Sequence, residues 1–262
     1  MTRYKEITIP NTEHHVIYSN IVKDQFKLYV LLPSGYYETT KDYPVVYLLD
    51  ANVYFSIVAG TVKLLQFGEE IPDVIIIGVG YPEDSNHLYL RNRDYLPTST
   101  VDHDNSGGAN DFLNFIIEEL KPYVEGKFRV NADKTILAGD SYSGLFSLYT
   151  LFNRPNSFSG YIVGSPSLYW DDSITFTYER EFASSHDDLK TKIFLSVGAL
   201  EAVFEPEFAA MVDNVEKLAD VLRGRNYPSL ELVTHIFENE THLSVIPATM
   251  SRGLRELFRL MR

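Results

Sequence analysis

A chain of 262 residues, 45% of them hydrophobic, suffices for one large core or at most two small domains. Its formal net charge of −13 argues against nucleic acid as a partner, because phosphate binding depends on clustered Lys and Arg. The absence of cysteine excludes disulfides, thiolate metal sites and a cysteine nucleophile, and no run approaches the roughly 20 apolar residues of a membrane span.

The N-terminal stretch "MTRYKEITIPNTEHHVIYSN" has no uninterrupted apolar segment after its basic residues, so it does not read as a secretion signal, and the expectation is a soluble, cytoplasmic protein. "FKLYVLLP" at 26–33 alternates in part and runs into the turn-rich "SGYYETTKDYP", which reads as a strand leaving into a turn. Six more apolar runs follow, at 43–50, 72–80, 134–140, 158–166, 192–198 and 229–237. Most are continuous rather than alternating, the pattern of strands covered on both faces. Between them, "NDFLNFIIEELKPYV" repeats Phe112, Phe115, Ile116, Leu120 and Tyr123 at helical spacing, with Asn110 or Asp111 placed to cap it. A second helical stripe ends at Gly224, and "VIPATMSRGLRELFRLMR" closes the chain with basic residues in its last turns. Strand and helix alternate from about residue 43. With no linker in sight, this predicts one domain over 1–262, a three-layer α/β/α sandwich around a mostly parallel sheet.

In such sheets reactive groups gather where a strand ends and the chain turns into a helix. "ILAGDSYSGLFS" at 136–147 is such a place and carries two serines. A serine nucleophile on a sharp strand-to-helix turn needs small residues two before and two after it, because strand and helix come too close for larger ones. Gly139 and Ser143 flank Ser141 in this way, whereas Ser143 is followed by bulky Leu145. The frame selects Ser141, in the form G-x-S-x-S with the glycine displaced to Gly144. Taken alone, the stretch reads equally well as a loop in which Asp140 or Ser141 caps the helix.

A serine hydroxyl needs a base, and histidine suits the task. Hydrolases built on this turn follow the chain order serine, acid, histidine, which leaves His186, His235 and His242. His186 sits in the polar "SSHDDLK" and reads as a solvated loop residue; His235 shares a strand face with Val233 and Phe237 and reads as packing. His242 follows the last strand and precedes the terminal helix, where the base belongs. The acid should follow the strand at 192–198, which offers Glu201, with Glu205, Glu207 and Asp213 further on. Backbone donors for an oxyanion fall to Tyr142, directly after the serine, and to Ala51 or Asn52 in "YLLDANVYF".

With Ser141, "LLDAN", "RNRDYLP" and "THLSVIP" in order, almost the whole chain resembles the "putative esterase" family of α/β-hydrolases, which includes the enterochelin and related siderophore esterases. Family segments like "GHSYGG", "VGALE" and "ETHLSV" are matched by "GDSYSG", "VGALE" and "ETHLSV" here, which implies Ser141 as nucleophile, Glu201 as acid and His242 as base. Asp140 and Ser143 replace the common histidine and glycine, and Ala51 stands where "LDG" is frequent. Arg93 in "RNRDYLP" is read either as pinning a loop through Asp94 or as touching substrate; Tyr169 and Trp170 are read as a pocket wall, with core packing the other role for Trp170.

The resemblance and the site together imply a serine carboxylic ester hydrolase working through an acyl-enzyme on a small-molecule ester, with no metal or organic cofactor. The strong negative charge favours short-chain or aromatic esters over anionic ferric siderophores. Residues 168–190 leave room only for a small cap. A siderophore trilactone esterase, an acyltransferase or thioester hydrolase on the same scaffold, and a non-catalytic binding protein of this fold are the alternatives.

Overall fold

In the computed structural model, which describes residues 7–204 and 209–261, the apolar runs pair into one eight-stranded sheet. The strands are β1 (Thr12–Tyr18), β2 (Gln25–Leu31), β3 (Tyr43–Leu48), β4 (Ile75–Gly80), β5 (Val130–Asp140), β6 (Gly160–Gly164), β7 (Thr191–Gly198) and β8 (Leu230–Phe237). They lie in the order β1-β2-β4-β3-β5-β6-β7-β8. β2 is antiparallel to β1 and β4; every other neighbouring pair is parallel. β4 and β6 are buried along their whole length, as uninterrupted apolar strands must be. β1 has no counterpart among the predicted strands. Its sequence TEHHVIY is largely exposed at the sheet edge, and it is the pairing with β2 that makes it a strand.

The helices are α1 (Ala51–Phe67), α2 (His87–Tyr95), α3 (Ala109–Asn114), α4 (Lys121–Lys127), α5 (Tyr142–Asn153), α6 (Trp170–Ser173), α7 (Thr175–Ala183), α8 (Glu201–Phe204), α9 (Met211–Gly224) and α10 (Ile246–Leu260). A π-helical segment, Phe115–Leu120, joins α3 to α4, so the predicted apolar stripe there belongs to one winding unit. Gly108 rather than Asn110 or Asp111 occupies its N-cap, with no side chain capping. α1 and α10 cover one face of the sheet, burying Val58, Val62, Met250 and Leu257 with Ile76, Ile136 and Ile162. α5, α7, α9 and the 109–127 unit cover the other through Phe112, Phe146, Phe176 and Leu218. The result is the expected three-layer α/β-hydrolase architecture, with the carboxyl ends of β3, β5, β7 and β8 opening toward a common site.

The segment 168–190 packs into the helical layer. Phe176 and Phe182 join the core, and Glu179, 1% exposed, receives two hydrogen bonds from Arg225 at 2.7 and 2.8 Å. Among the described residues of that segment only Tyr169 lines the site cavity. No helix of the described residues is long and apolar enough to cross a membrane.

Candidate active site

Ser141 sits between β5 and α5 with φ 61° and ψ −122°, a conformation that L-residues adopt only when their surroundings impose it. Those surroundings are close-packed backbone. A Cβ on Gly139 would lie 2.4 Å from the Ser143 carbonyl oxygen, and one on Gly144 would lie 2.6 Å from that of Gly164 in β6. The displaced glycine thus serves the approach of α5 to β6, while Ser143 serves as the small residue of the turn. Gly144→Ala is expected to lose about 1–3 kcal/mol of stability, because the obstructing atom is backbone and no rotamer avoids it. A lowered thermal midpoint would show it; an unchanged one would mean that α5 shifts freely.

The Ser143 hydroxyl is buried and fully engaged. It accepts from the Asp140 N–H at 2.9 Å and lies 2.7 Å from Asp50 Oδ2 and 2.8 Å from the Asp140 carbonyl. Asp50, at the end of the β3 strand run, has φ 53° and N-caps α1 without a side-chain cap bond. Its carboxylate is turned instead to Arg91, which donates from Nε at 2.8 Å and from Nη2 at 2.9 Å. Its N–H donates to Tyr95 Oη at 3.1 Å.

His242 lies in the loop between β8 and α10, 6% exposed. Its Nδ1 is 2.8 Å from Glu201 Oε2, and Glu201 is wholly buried at the start of α8. The other carboxylate oxygen accepts from Ser165 Oγ at 2.6 Å and from the Gly198 N–H at 2.7 Å. Both oxygens are therefore held, and the carboxylate faces the ring in one orientation. Gly198 lets the two loops meet: a Cβ there would lie 2.5 Å from the Glu240 carbonyl oxygen. Of the other acids considered, Asp213 is exposed on α9, and Glu205 and Glu207 lie outside the described residues.

Ser141 and His242 line one cavity of about 710 Å³, together with Asp50, His87, Arg91, Tyr142 and Tyr169. Its remaining wall is apolar, from Val53, Tyr54 and Ile57 on α1, Leu88 on α2, and Leu243, Ile246 and Pro247. The amides of Ala51 and Asn52 open α1 and that of Tyr142 opens α5, first-turn positions for which no intrahelical carbonyl exists. Ala51 fits because the strand beside it is bare: a Cβ on Gly78 would lie 2.7 Å from that of Ala51. The Asn52 side chain is occupied elsewhere, accepting from the Tyr81 N–H at 2.7 Å and donating to its carbonyl at 2.9 Å. Burial, with Tyr169 adding, pushes the Tyr142 phenol up to about 12.

Two predicted pocket residues are displaced from the cavity. Arg93 pairs with Asp94 at 2.7 Å and with Asp24 at 2.7 Å, pinning α2 to the β1–β2 connection. Trp170 donates from Nε1 to Thr98 Oγ1 at 2.9 Å and packs with Leu96 and Leu145 behind Tyr142. The cation at the cavity is Arg91, which the sequence does not single out because the largely polar "HLYLRNRDY" carries no apolar stripe to mark it as a helix. On a helix His87, Leu88 and Arg91 share a face and Arg93 points away. Asn86 is the overlooked start signal, accepting from the Tyr89 N–H at 3.2 Å. Ser165, which orients Glu201, carried no signal beyond its place after a strand. His235 packs edge-on to Phe237 at 4.4 Å between centroids, and His186 stacks on Phe182 at 4.2 Å while remaining exposed.

An eight-stranded, mostly parallel sheet with a strained serine after β5, a buried carboxylate after β7 and, paired with it, a histidine after β8 defines an α/β-hydrolase. The family model described as "Putative esterase" matches residues 19–238. The chain is 30% identical to the ferri-bacillibactin esterase BesA of Bacillus subtilis, over 95% of this chain and 90% of that one. It is 31% identical to the siderophore enterobactin esterase of Emericella nidulans, over 82% of each. The crystal structure of the BES protein from Bacillus cereus superimposes with a TM-score of 0.86 at 30% identity, covering 97% of both chains. The chain belongs to this esterase family and is a carboxylic ester hydrolase.

Proposed function

We propose that this esterase works through a Ser141–His242–Glu201 triad and an acyl-enzyme. The observation that carries the reading is the contact of His242 Nδ1 with the buried, doubly anchored Glu201, on a ring that lines the same cavity as Ser141. Glu201 fixes the tautomer with the proton on Nδ1, which leaves Nε2 as the base. Ser141 Oγ attacks the ester carbonyl as its proton passes to His242; the alkoxide leaves with that proton, and water repeats the sequence on the acyl-enzyme. The amides of Tyr142 and of Ala51 or Asn52 receive the oxyanion charge, each worth roughly 3 kcal/mol in the transition state.

The cavity favours an apolar or aromatic ester of modest size. Its one arginine is already neutralised by Asp50, so little positive charge remains to draw in an anionic ferric complex. A cyclic siderophore triester is the second reading, supported by the named activities of the relatives.

A fluorophosphonate probe should label the protein stoichiometrically on the peptide that carries Ser141, and preincubation with it should abolish hydrolysis. An unmodified Ser141 with hydrolysis intact would remove it as the nucleophile. Turnover of a panel of aryl esters of graded acyl length, beside metal-free and ferric catecholate triesters, decides the substrate class. Preference by a hundredfold or more for the ferric triester would overturn the apolar-ester reading.

A further inference from the structure

Asp140, the last residue of β5 and the neighbour of Ser141, is fully buried. Among the described residues neither of its carboxylate oxygens has a hydrogen-bond partner. The carboxyl lies against bare backbone: a Cβ on Gly164 of β6 would come 2.2 Å from Asp140 Oδ2. A buried polar group in that condition detracts from stability, and the triad as described makes no use of it.

Five charged or titratable groups act on it or are acted on by it electrostatically, while β6 offers it only backbone. They are His242 from the loop before α10, Glu201 from α8, Asp50 from the start of α1, Arg91 from α2, and Tyr54 from α1, whose phenol it helps to push up. Burial pushes the Asp140 carboxyl up to about 7; His242 opposes that rise, Glu201 and Asp50 add to it, and Arg91 opposes it. With no hydrogen bond among the described residues to fix its charge state, the Asp140 carboxyl is open to the charges around it, that of His242 first among them.

Resting on the triad reading above, we propose that Asp140 is a positioning residue acting through His242, a second carboxyl whose charge sets how firmly the imidazole holds a proton. When Asp140 is neutral, His242 feels Glu201 as its nearest negative charge. Once Asp140 ionises, a further negative charge favours the imidazolium and delays release of the free base as pH rises. The acid limb of kcat/KM then belongs to the pair and spreads over two coupled proton losses.

The test is the pH profile of aryl-ester hydrolysis for wild type and Asp140→Asn, each scaled to its own alkaline plateau. Removing the charge should move the acid limb of the variant to lower pH by about half a unit or more and narrow it to a single ionisation. At the pH where wild type keeps a tenth of its plateau, the variant should keep about threefold more. Superimposable limbs, or a shift to higher pH, would overturn the proposal.

A second readout needs no activity. A carboxyl whose folded value lies above its unfolded one, near 4, contributes stability at acid pH that is lost as pH rises through about 7. The thermal midpoint of Asp140→Asn relative to wild type should therefore rise between pH 4 and pH 8, and a flat difference would count against the proposal. Should the variant fail to fold, carboxyl carbon resonances of the wild type serve: one aspartate must titrate above pH 6, and none doing so overturns it. Loss of hydrolysis in Ser141→Ala with an unmoved limb in Asp140→Asn would sink this inference alone, whereas retained hydrolysis in Ser141→Ala would sink the triad reading beneath it.

Discussion

Ser141→Ala is expected to lower kcat/KM on a short-chain nitrophenyl ester by about 10⁴-fold or more, equivalent to about 5.5 kcal/mol of transition-state stabilisation. The effect is this large because His242 and Glu201 have no separate route to the carbonyl carbon: without Oγ they can only assist a water. The backbone donors of Tyr142 and of Ala51 or Asn52 survive the substitution, so a residual rate above that of the uncatalysed reaction should remain. The fold should survive too, since the strained turn is imposed by Gly139, Gly144 and the contacts of Ser143, none of which is touched. Steady-state kinetics beside circular dichroism separate the outcomes, and turnover within tenfold of wild type would remove Ser141 from the chemistry.

Glu201→Gln should cost about 10³- to 10⁴-fold in kcat, although it changes neither the volume nor the outline of the side chain. Two donors converge on Oε1, from Ser165 Oγ and the Gly198 N–H, while Oε2 faces the His242 ring. Glutamine has a single acceptor oxygen, and the convergent donors hold it at the Oε1 position. The amide NH₂ then points at Nδ1, which must become an acceptor, so the proton moves to Nε2 and the base is lost. Glu201→Gln should therefore label slowly with the fluorophosphonate while unfolding at a midpoint close to wild type. Rapid labelling with full kcat would mean that His242 takes its orientation from elsewhere.

The buried strands and the serine turn were legible because they rest on local pattern. Continuous apolar runs mark strands buried on both faces, and Gly139, Ser141 and Ser143 stand at the spacing that a tight turn demands. His242 and Glu201 were legible through chain order, and they meet as a pair at 2.8 Å. What failed to show was anything decided by partners distant in sequence. β1 is a strand through its pairing with β2, and Arg91 rather than Arg93 faces the cavity because of how α2 is rotated. Ser165 becomes a partner of Glu201 only when β6 and β7 are side by side. The apolar stripe of 110–124 was visible, but its π-helical middle was not, since apolar spacing does not distinguish closely related windings.

Asp50 ties Arg91 of α2, Ser143 of α5 and, through its own amide, Tyr95 to the turn that opens α1. Substitutions at these positions are therefore not independent of one another. A change of Ser143 to glycine would take one partner from a buried carboxylate and leave Arg91 to satisfy it alone among the described residues. Conversely, Asp50 cannot drift to a neutral residue without stranding a guanidinium at the cavity wall. The second serine of "GDSYSG" thus ties any change in the turn at Ser141 to changes in the turn that opens α1 and in α2.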